Sequence, residues 1–281
     1  MSTPIHPIIS AEELKKLRAA KDLVVVDASY PKGLDTYTQE HISGALFVDL
    51  DTDLADIKSD FALGGRHPLP KVEDFIKVLN NLGINNETHV VIYDRISGAF
   101  ASRMWWMLRS MGHKKVQVLD GGFAAAKALG LPMASGVEKA SLKASYSATS
   151  WNWGVSEMTD IENALSSSGQ KVFDVRGPAR YRGEVEPIDT IAGHIAGAIN
   201  APFADNLTDK GTFKSPEILK ALFEKVLDGV DSCNTIFHCG SGVTACHSIL
   251  AMDIAGMEIP SLYVGSWSEW SRNNKPMATH E

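Results

Sequence analysis

The chain repeats itself. Five blocks recur in the same order in both halves of its 281 residues: Leu23-Val-Val-Val-Asp27 is echoed by Lys171-Val-Phe-Asp174, and His41-Ile-Ser-Gly-Ala-Leu by His194-Ile-Ala-Gly-Ala-Ile. Val90-Val-Ile-Tyr-Asp94 is matched by Thr235-Ile-Phe-His-Cys239, Gly121-Gly-Phe123 by Gly265-Ser-Trp267, and Pro132-Met-Ala134 by Pro276-Met-Ala278, at offsets of 144 to 153 positions. Such self-similarity predicts two copies of one domain of about 130 residues. We expect an N-terminal copy over 1–135, a polar, Ser-rich linker over 136–155 and a C-terminal copy over 156–281.

Within each copy, short β-branched runs alternate with helical periodicities. Val24-Val-Val-Asp27, Val90-Val-Ile-Tyr93 and Val116-Gln-Val-Leu119 read as buried strands; 11–17, 72–79 and 101–108 read as helices. The alternation predicts an α/β fold in each copy, a mainly parallel sheet covered by helices on both faces. Chemistry in such sheets sits in loops at the carboxyl ends of the strands.

A net charge of -7 argues against a nucleic-acid partner, although local arginines can still attract a small anion. No window approaches the ~20 apolar residues of a membrane span. The first ten residues show no basic region ahead of an apolar core, so neither a secretory nor a transit peptide is expected. Three cysteines, Cys233, Cys239 and Cys246, cannot all pair; they suit a reducing compartment, and the expected location is the cytoplasm. No cofactor is expected, for there is no dinucleotide fingerprint, no phosphate-binding loop with lysine and no metal-ligand spacing.

Cys239 ends a strand and precedes the loop Gly240-Ser-Gly-Val-Thr244, after which apolar residues resume at helical spacing. Gly240 and Gly242 can adopt backbone conformations that other residues avoid, and such a loop turns several N–H groups toward one point, an anion cradle. A cysteine there should hold its proton weakly and act as a nucleophile. A buried cysteine is more often a small apolar filler, but a filler needs no Gly-x-Gly cradle. A metal site from His238-Cys239 and Cys246-His247 fails because adjacent strand residues point to opposite faces. A cysteine phosphatase would need an arginine six residues on, where this chain has Ala245. Cys233 reads as loop filler and Cys246 as core, with a regulatory disulfide to Cys239 left open.

These residues resemble a family. Cys239-Gly-Ser-Gly-Val-Thr244, with Gly265-Ser-Trp-Ser-Glu-Trp270 downstream and His194-Ile-Ala-Gly-Ala upstream, is similar to the tandem rhodanese-type sulfurtransferases, and within them to the mercaptopyruvate-type enzymes. The resemblance runs from Val24 to Ala278. It implies two rhodanese-like domains, the first catalytically silent because Asp94 stands where the second has Cys239. It also implies a Cys239 persulfide that takes sulfur from a small anionic donor, 3-mercaptopyruvate, and passes it to a thiol acceptor, a small thiol or thioredoxin-like protein, or to cyanide, with release of pyruvate.

The resemblance assigns the loop residues Gly240, Gly242, Val243 and Thr244 to substrate binding together with Arg180, and a proton relay to Ser241, His67 and Asp51. Thiosulfate-type enzymes resemble C-R-K-G-V-T in the loop, whereas Gly240 and Ser241 are neutral here. One departure points the other way: mercaptopyruvate-type enzymes carry a second substrate arginine nine positions after Arg180, where this chain has Asp189. Arg182 and Arg66 are candidates to replace it. A thiosulfate-preferring enzyme, and a non-catalytic sulfur carrier or redox-sensing module, stand as alternatives.

Overall fold

The computed structural model describes residues 5–140 and 144–280; residues 1–4 of the expected N-terminal copy, 141–143 of the expected linker and 281 of the expected C-terminal copy lie outside the described residues. The chain divides into two compact units that are not contiguous in sequence. One comprises residues 1–55, 70–152 and 209–213, the other 56–69, 153–208 and 214–281.

Each unit holds a five-stranded sheet, and the two sheets have the same strand order. In the first, Leu46–Phe47, Leu23–Asp27, His89–Tyr93, Val116–Leu119 and Ile8–Ile9 lie side by side, every pair parallel. In the second the sequence is Ile199–Asn200, Lys171–Asp174, Thr235–His238, Ser261–Tyr263 and Val155–Ser156, again all parallel. The duplication extends to register: Asp27 pairs with Tyr93, and Asp174 with His238.

Period-2 alternation places apolar side chains on both faces of each sheet. In the first unit Val25, Val91 and Tyr93 pack with Leu14 of helix Ala11–Leu17 and with Phe123 and Ala126 of helix Gly122–Ala128. The intervening Val26, Val90 and Ile92 are fully buried on the other face. In the second unit Val172, Ile236 and Tyr263 pack with Ile161 and Ala164 of helix Met158–Leu165 and with Trp267 and Trp270. Phe173 and Phe237 turn to the opposite face, 5.0 Å apart, with Phe223 of helix Pro216–Leu227 against Phe237. Continuous apolar strands are what burial on both faces demands.

The repeated His-Ile-x-Gly-Ala block proves structural. His41–Ile42 forms a short antiparallel ribbon with Met133–Ala134, and His194–Ile195 forms one with Met277–Ala278, so two of the five blocks pair within each unit. His41 Nδ1 lies 2.8 Å from the Tyr37 carbonyl and its ring stacks on Tyr37 at 4.1 Å. His194 repeats this on Tyr181, at 2.7 Å and 3.6 Å. Each tyrosine hydroxyl then donates across the turn, to Ala45 and Ala198 respectively.

Candidate active site

Strand Thr235–His238 runs through the middle of its sheet and ends at Cys239, which is 2 % exposed. Helix Thr244–Ile254 begins five residues later and is buried almost all round, so its N-terminus meets the loop in a water-poor setting. The two loop glycines serve different ends. Gly242 is in the left-handed region (φ 71°), and a Cβ there would stand 2.7 Å from the Val264 carbonyl oxygen. Gly240 has no left-handed φ, contrary to expectation. Its lack of a side chain makes room for two guanidinium groups: a Cβ would stand 2.9 Å from Arg66 Nη2 and 3.5 Å from Arg180 Nη2.

The outer side of the loop is pinned from the segment after strand Ser261–Tyr263. Trp267 N–H donates to the Cys239 carbonyl and Ser268 N–H to that of Gly240, both at 3.0 Å. Cys239 N–H donates to Ser266 Oγ (3.1 Å), and that hydroxyl donates to the Tyr263 carbonyl (2.8 Å). Ser266 sits at φ 54°, a conformation that a serine adopts at a cost.

The inner side is left for the sulfur. Burial pushes the Cys239 thiol up, but the Thr244 hydroxyl and the N–H groups of Ser241 and Ala245 pull harder, and its pKa ends below that of an ordinary cysteine. Ala245, the position that excludes a phosphatase, thus contributes through its backbone. Cys246 is buried and donates its thiol to the Gly242 carbonyl at 3.3 Å; among the described residues no cysteine is in a disulfide. Cys233, expected as loop filler, is exposed beside Glu258. Val243 is buried as the residue preceding the helix.

Residues 56–69 supply the second layer of the site and belong to the same unit as the loop. They are tied down by Gly64 N–H to Glu269 Oε1 (2.8 Å), Arg66 N–H to Ser268 Oγ (3.0 Å) and Asn273 Nδ2 to the Ala62 carbonyl (3.0 Å). His67 Nδ1 then lies 2.7 Å from Ser241 Oγ, both residues being buried. Asp51 belongs to the first unit. Burial, then the neighbouring Asp49, pushes its carboxyl above the usual range, and its N–H donates to Asp49 Oδ1.

Arg180, expected to bind substrate, is 21 % exposed at its side chain and is held by Glu186, Nη2 to Oε1 at 2.7 Å and Nε to Oε2 at 3.2 Å. Asp189 stands among three arginines: it contacts Arg66 Nη1 directly, with Arg272 Nη1 at 3.1 Å and Arg180 Nη2 at 3.8 Å. Arg182 points elsewhere, pairing with Glu184 on the surface. Beneath, Arg176 is buried against Asp174 and Glu186 and lies 4.9 Å over the Trp267 ring.

Neither Arg176, Glu186 nor Arg272 was singled out in the sequence, where charged loop residues look alike. Among the described residues, no group of three or more His, Cys, Asp or Glu side chains is arranged to hold a metal ion.

Comparison with known proteins identifies the family. The family model described as "Rhodanese-like domain" matches residues 10–129 and 157–273. A human protein named 3-mercaptopyruvate sulfurtransferase is 39 % identical over 277 residues, 95 % of this chain and 91 % of that one. A Rattus norvegicus protein named thiosulfate sulfurtransferase is 36 % identical over 277 residues, with the same shares covered. The solved structure of 3-mercaptopyruvate sulfurtransferase from Leishmania major superposes with a TM-score of 0.82 at 32 % identity, covering 98 % of this chain and 77 % of that one. A fold repeated strand for strand, a thiol in a backbone cradle and family matches to both copies lead to one statement: the chain belongs to the rhodanese-like family.

Proposed function

We propose that the protein is a sulfurtransferase that takes sulfur from 3-mercaptopyruvate through a persulfide on Cys239, releases pyruvate and passes the sulfur to a thiol acceptor, a small thiol or a thioredoxin-like protein, or to cyanide. The observation that carries this reading is a buried cysteine with three hydrogen-bond donors on its sulfur, faced at Gly240 by two guanidinium groups. The thiolate attacks the sulfur of the donor, the carbon–sulfur bond breaks, and its electron pair leaves as the enolate of pyruvate. The donor's thiol proton ends on the enolate carbon, so the products are a persulfide anion and pyruvate. Ser241 and His67, 2.7 Å apart, are suited to carry that proton.

The carboxylate of the donor falls to Arg180, with the loop N–H groups from Gly240 to Thr244 cradling the sulfur pair. Asp94 occupies the cysteine's position in the first copy, and a carboxylate forms no persulfide, so turnover belongs to the second copy alone. Three cysteines, which cannot all pair, suit a reducing compartment, and we assign the protein to the cytoplasm. Among the described residues no helix is long and apolar enough to cross a membrane.

Donor choice is the part that an experiment must decide, because the relatives include a thiosulfate sulfurtransferase. The neutral Gly240 and Ser241 favour the mercaptopyruvate reading over a dianionic donor. Incubation with 3-mercaptopyruvate should add one sulfur atom to the Cys239 peptide and release stoichiometric pyruvate. A Cys239→Ser variant that released pyruvate at the wild-type rate would sink the mechanism, and a higher kcat/KM for thiosulfate would sink the donor. Failure of every small donor would favour a carrier that is loaded by a partner.

A further inference from the structure

Helix Ser266–Trp270 carries two polar side chains that its counterpart in the first copy does without. Gly121-Gly-Phe-Ala-Ala125 has alanines where Gly265-Ser-Trp-Ser-Glu269 has Ser268 and Glu269, and the strand before it ends in Leu119 where the second copy has Tyr263. We propose that Glu269, braced by Tyr263, is the residue that positions His67 against Ser241. This inference rests on the reading of Ser241 and His67 as the proton carriers of a sulfurtransferase.

The helix itself needs neither side chain. Glu269 N–H donates to the Gly265 carbonyl at 3.0 Å, and Ala125 N–H donates to that of Gly121 at 3.2 Å, so the same turn forms around an alanine. What the polar pair serves is the stretch 56–69. Glu269 Oε1 accepts the Gly64 N–H at 2.8 Å while Oε2 accepts the Tyr263 hydroxyl at 2.7 Å, so the carboxylate is fixed on one side and holds on the other. Ser268 Oγ accepts the Arg66 N–H and donates to the Gly265 carbonyl, both at 3.0 Å. Gly65, between the two pinned residues, is left-handed (φ 79°) and lies flat on the helix: a Cβ there would collide with the Gly265 carbonyl oxygen and stand 2.8 Å from Ser268 Oγ.

Hydrogen bonds carry this contact because packing does not. Leu63, beside the pinned residues, is 68 % exposed, and a cleft of about 430 Å³ has Gly64, Pro68, Leu69, Tyr263 and Glu269 among its walls. His67 follows the pinned Arg66 directly, and its 2.7 Å contact with Ser241 Oγ tolerates little displacement. The guanidinium groups of the site are tied separately, Arg66 to Asp189 and Arg180 to Glu186. Loss of the Glu269 carboxylate therefore falls on the histidine.

The test measures two reactions, pyruvate release from 3-mercaptopyruvate and alkylation of Cys239 by iodoacetamide, which needs no proton carrier. Glu269→Ala should lower kcat for pyruvate release roughly 10-fold and leave alkylation within about 2-fold of wild type. Glu269→Gln keeps an acceptor for Gly64 and a partner for Tyr263, and should recover most of the loss. In a His67→Gln background, Glu269→Ala should cost nothing further, because the group it positions is gone. An unchanged kcat in Glu269→Ala, parallel falls in kcat and alkylation, or losses that multiply in the double variant each overturn the inference. Should wild type release no pyruvate, or His67→Gln release it at the wild-type rate, the proton-carrier reading fails and the inference is read from the histidine ring. The ¹⁵N resonance of His67 Nδ1 should move in Glu269→Ala to the position it takes in Ser241→Ala, and an unmoved resonance overturns it.

Discussion

The two copies of the strand–loop–helix unit differ most where they match best. In the first, the Asp94 carboxylate occupies its own loop: Oδ1 accepts the N–H groups of Ile96 and Gly98, and Oδ2 those of Phe100 and Ala101, at 2.7 to 2.9 Å. In the second, Cys239 receives the N–H groups of Ser241 and Ala245, the counterparts of Ile96 and Phe100, and the Thr244 hydroxyl. Ser97 (φ 52°) and Gly242 (φ 71°) take the same left-handed turn. The cradle is therefore a property of the fold, turned on a carboxylate in one copy and on a thiol sulfur in the other. Burial outweighs the N–H groups on Asp94 and pushes its carboxyl up, whereas on Cys239 the donors win.

The largest expected effect comes from making the copies alike. Cys239→Asp should give a carboxylate held by the second loop, a folded protein and a loss of pyruvate release of about 10³-fold or more, since no nucleophilic sulfur remains. Unfolding of this variant, seen as loss of the near-ultraviolet circular dichroism signal, would show that the second cradle is not the same anion site. Next in size is Asp94→Ala, which strands four N–H donors, two of them buried. It should destabilise the protein by about 3 kcal/mol, read as a lower denaturant midpoint. A midpoint unchanged from wild type would mean that the first copy does not need its anion.

Much of this comparison was legible in the sequence. Asp94 and Cys239 lie at the ends of matching β-branched runs, and a period of two followed by a helical period marks a strand–loop–helix whichever residue sits at the junction. The Gly242 turn also followed from residue type. What did not follow was which of the candidate cations, Arg66 or Arg182, reaches the loop beside Arg180. Arg66 reaches the loop because residues 56–69 pack in the unit that carries Cys239, although they interrupt the other unit in sequence. No local periodicity encodes that. Residue type marks Gly240 as a conformational glycine, whereas its place in the structure is to leave space for guanidinium groups of residues more than 50 positions away. Likewise the His-Ile-x-Gly-Ala repeat, the most recognisable block of all, builds a tyrosine–histidine ribbon.

A smaller effect separates the donors on the sulfur. Because the Cys239 pKa is held below that of a free cysteine, the thiolate survives at pH values where an ordinary thiol is protonated, and the rate of alkylation by iodoacetamide should fall only on the acid side of the usual thiol range. Thr244→Val removes the side-chain donor and keeps the two N–H groups. The acid limb should move to higher pH and the alkylation rate at neutral pH should drop roughly 2- to 10-fold. An unmoved limb would mean that the backbone alone sets the pKa.

The smallest effect concerns Ser266, which stands where the first copy has Gly122. Both are left-handed (φ 54° and 55°), and a Cβ on Gly122 would come within 2.4 Å of the Asp94 carbonyl oxygen. The second copy tolerates a side chain because the Ser266 hydroxyl accepts the Cys239 N–H and donates to Tyr263. Ser266→Gly relieves backbone strain of about 1 kcal/mol and gives up hydrogen bonds of about the same net worth. Stability should therefore change by less than about 1 kcal/mol, while Cys239, no longer held through its own N–H, should show a lower kcat with an unchanged KM. A loss beyond about 2 kcal/mol would make the hydroxyl a pillar of the fold. An unchanged kcat would mean that the Cys239 carbonyl, fixed by Trp267 as that of Asp94 is by Phe123, suffices to aim the sulfur.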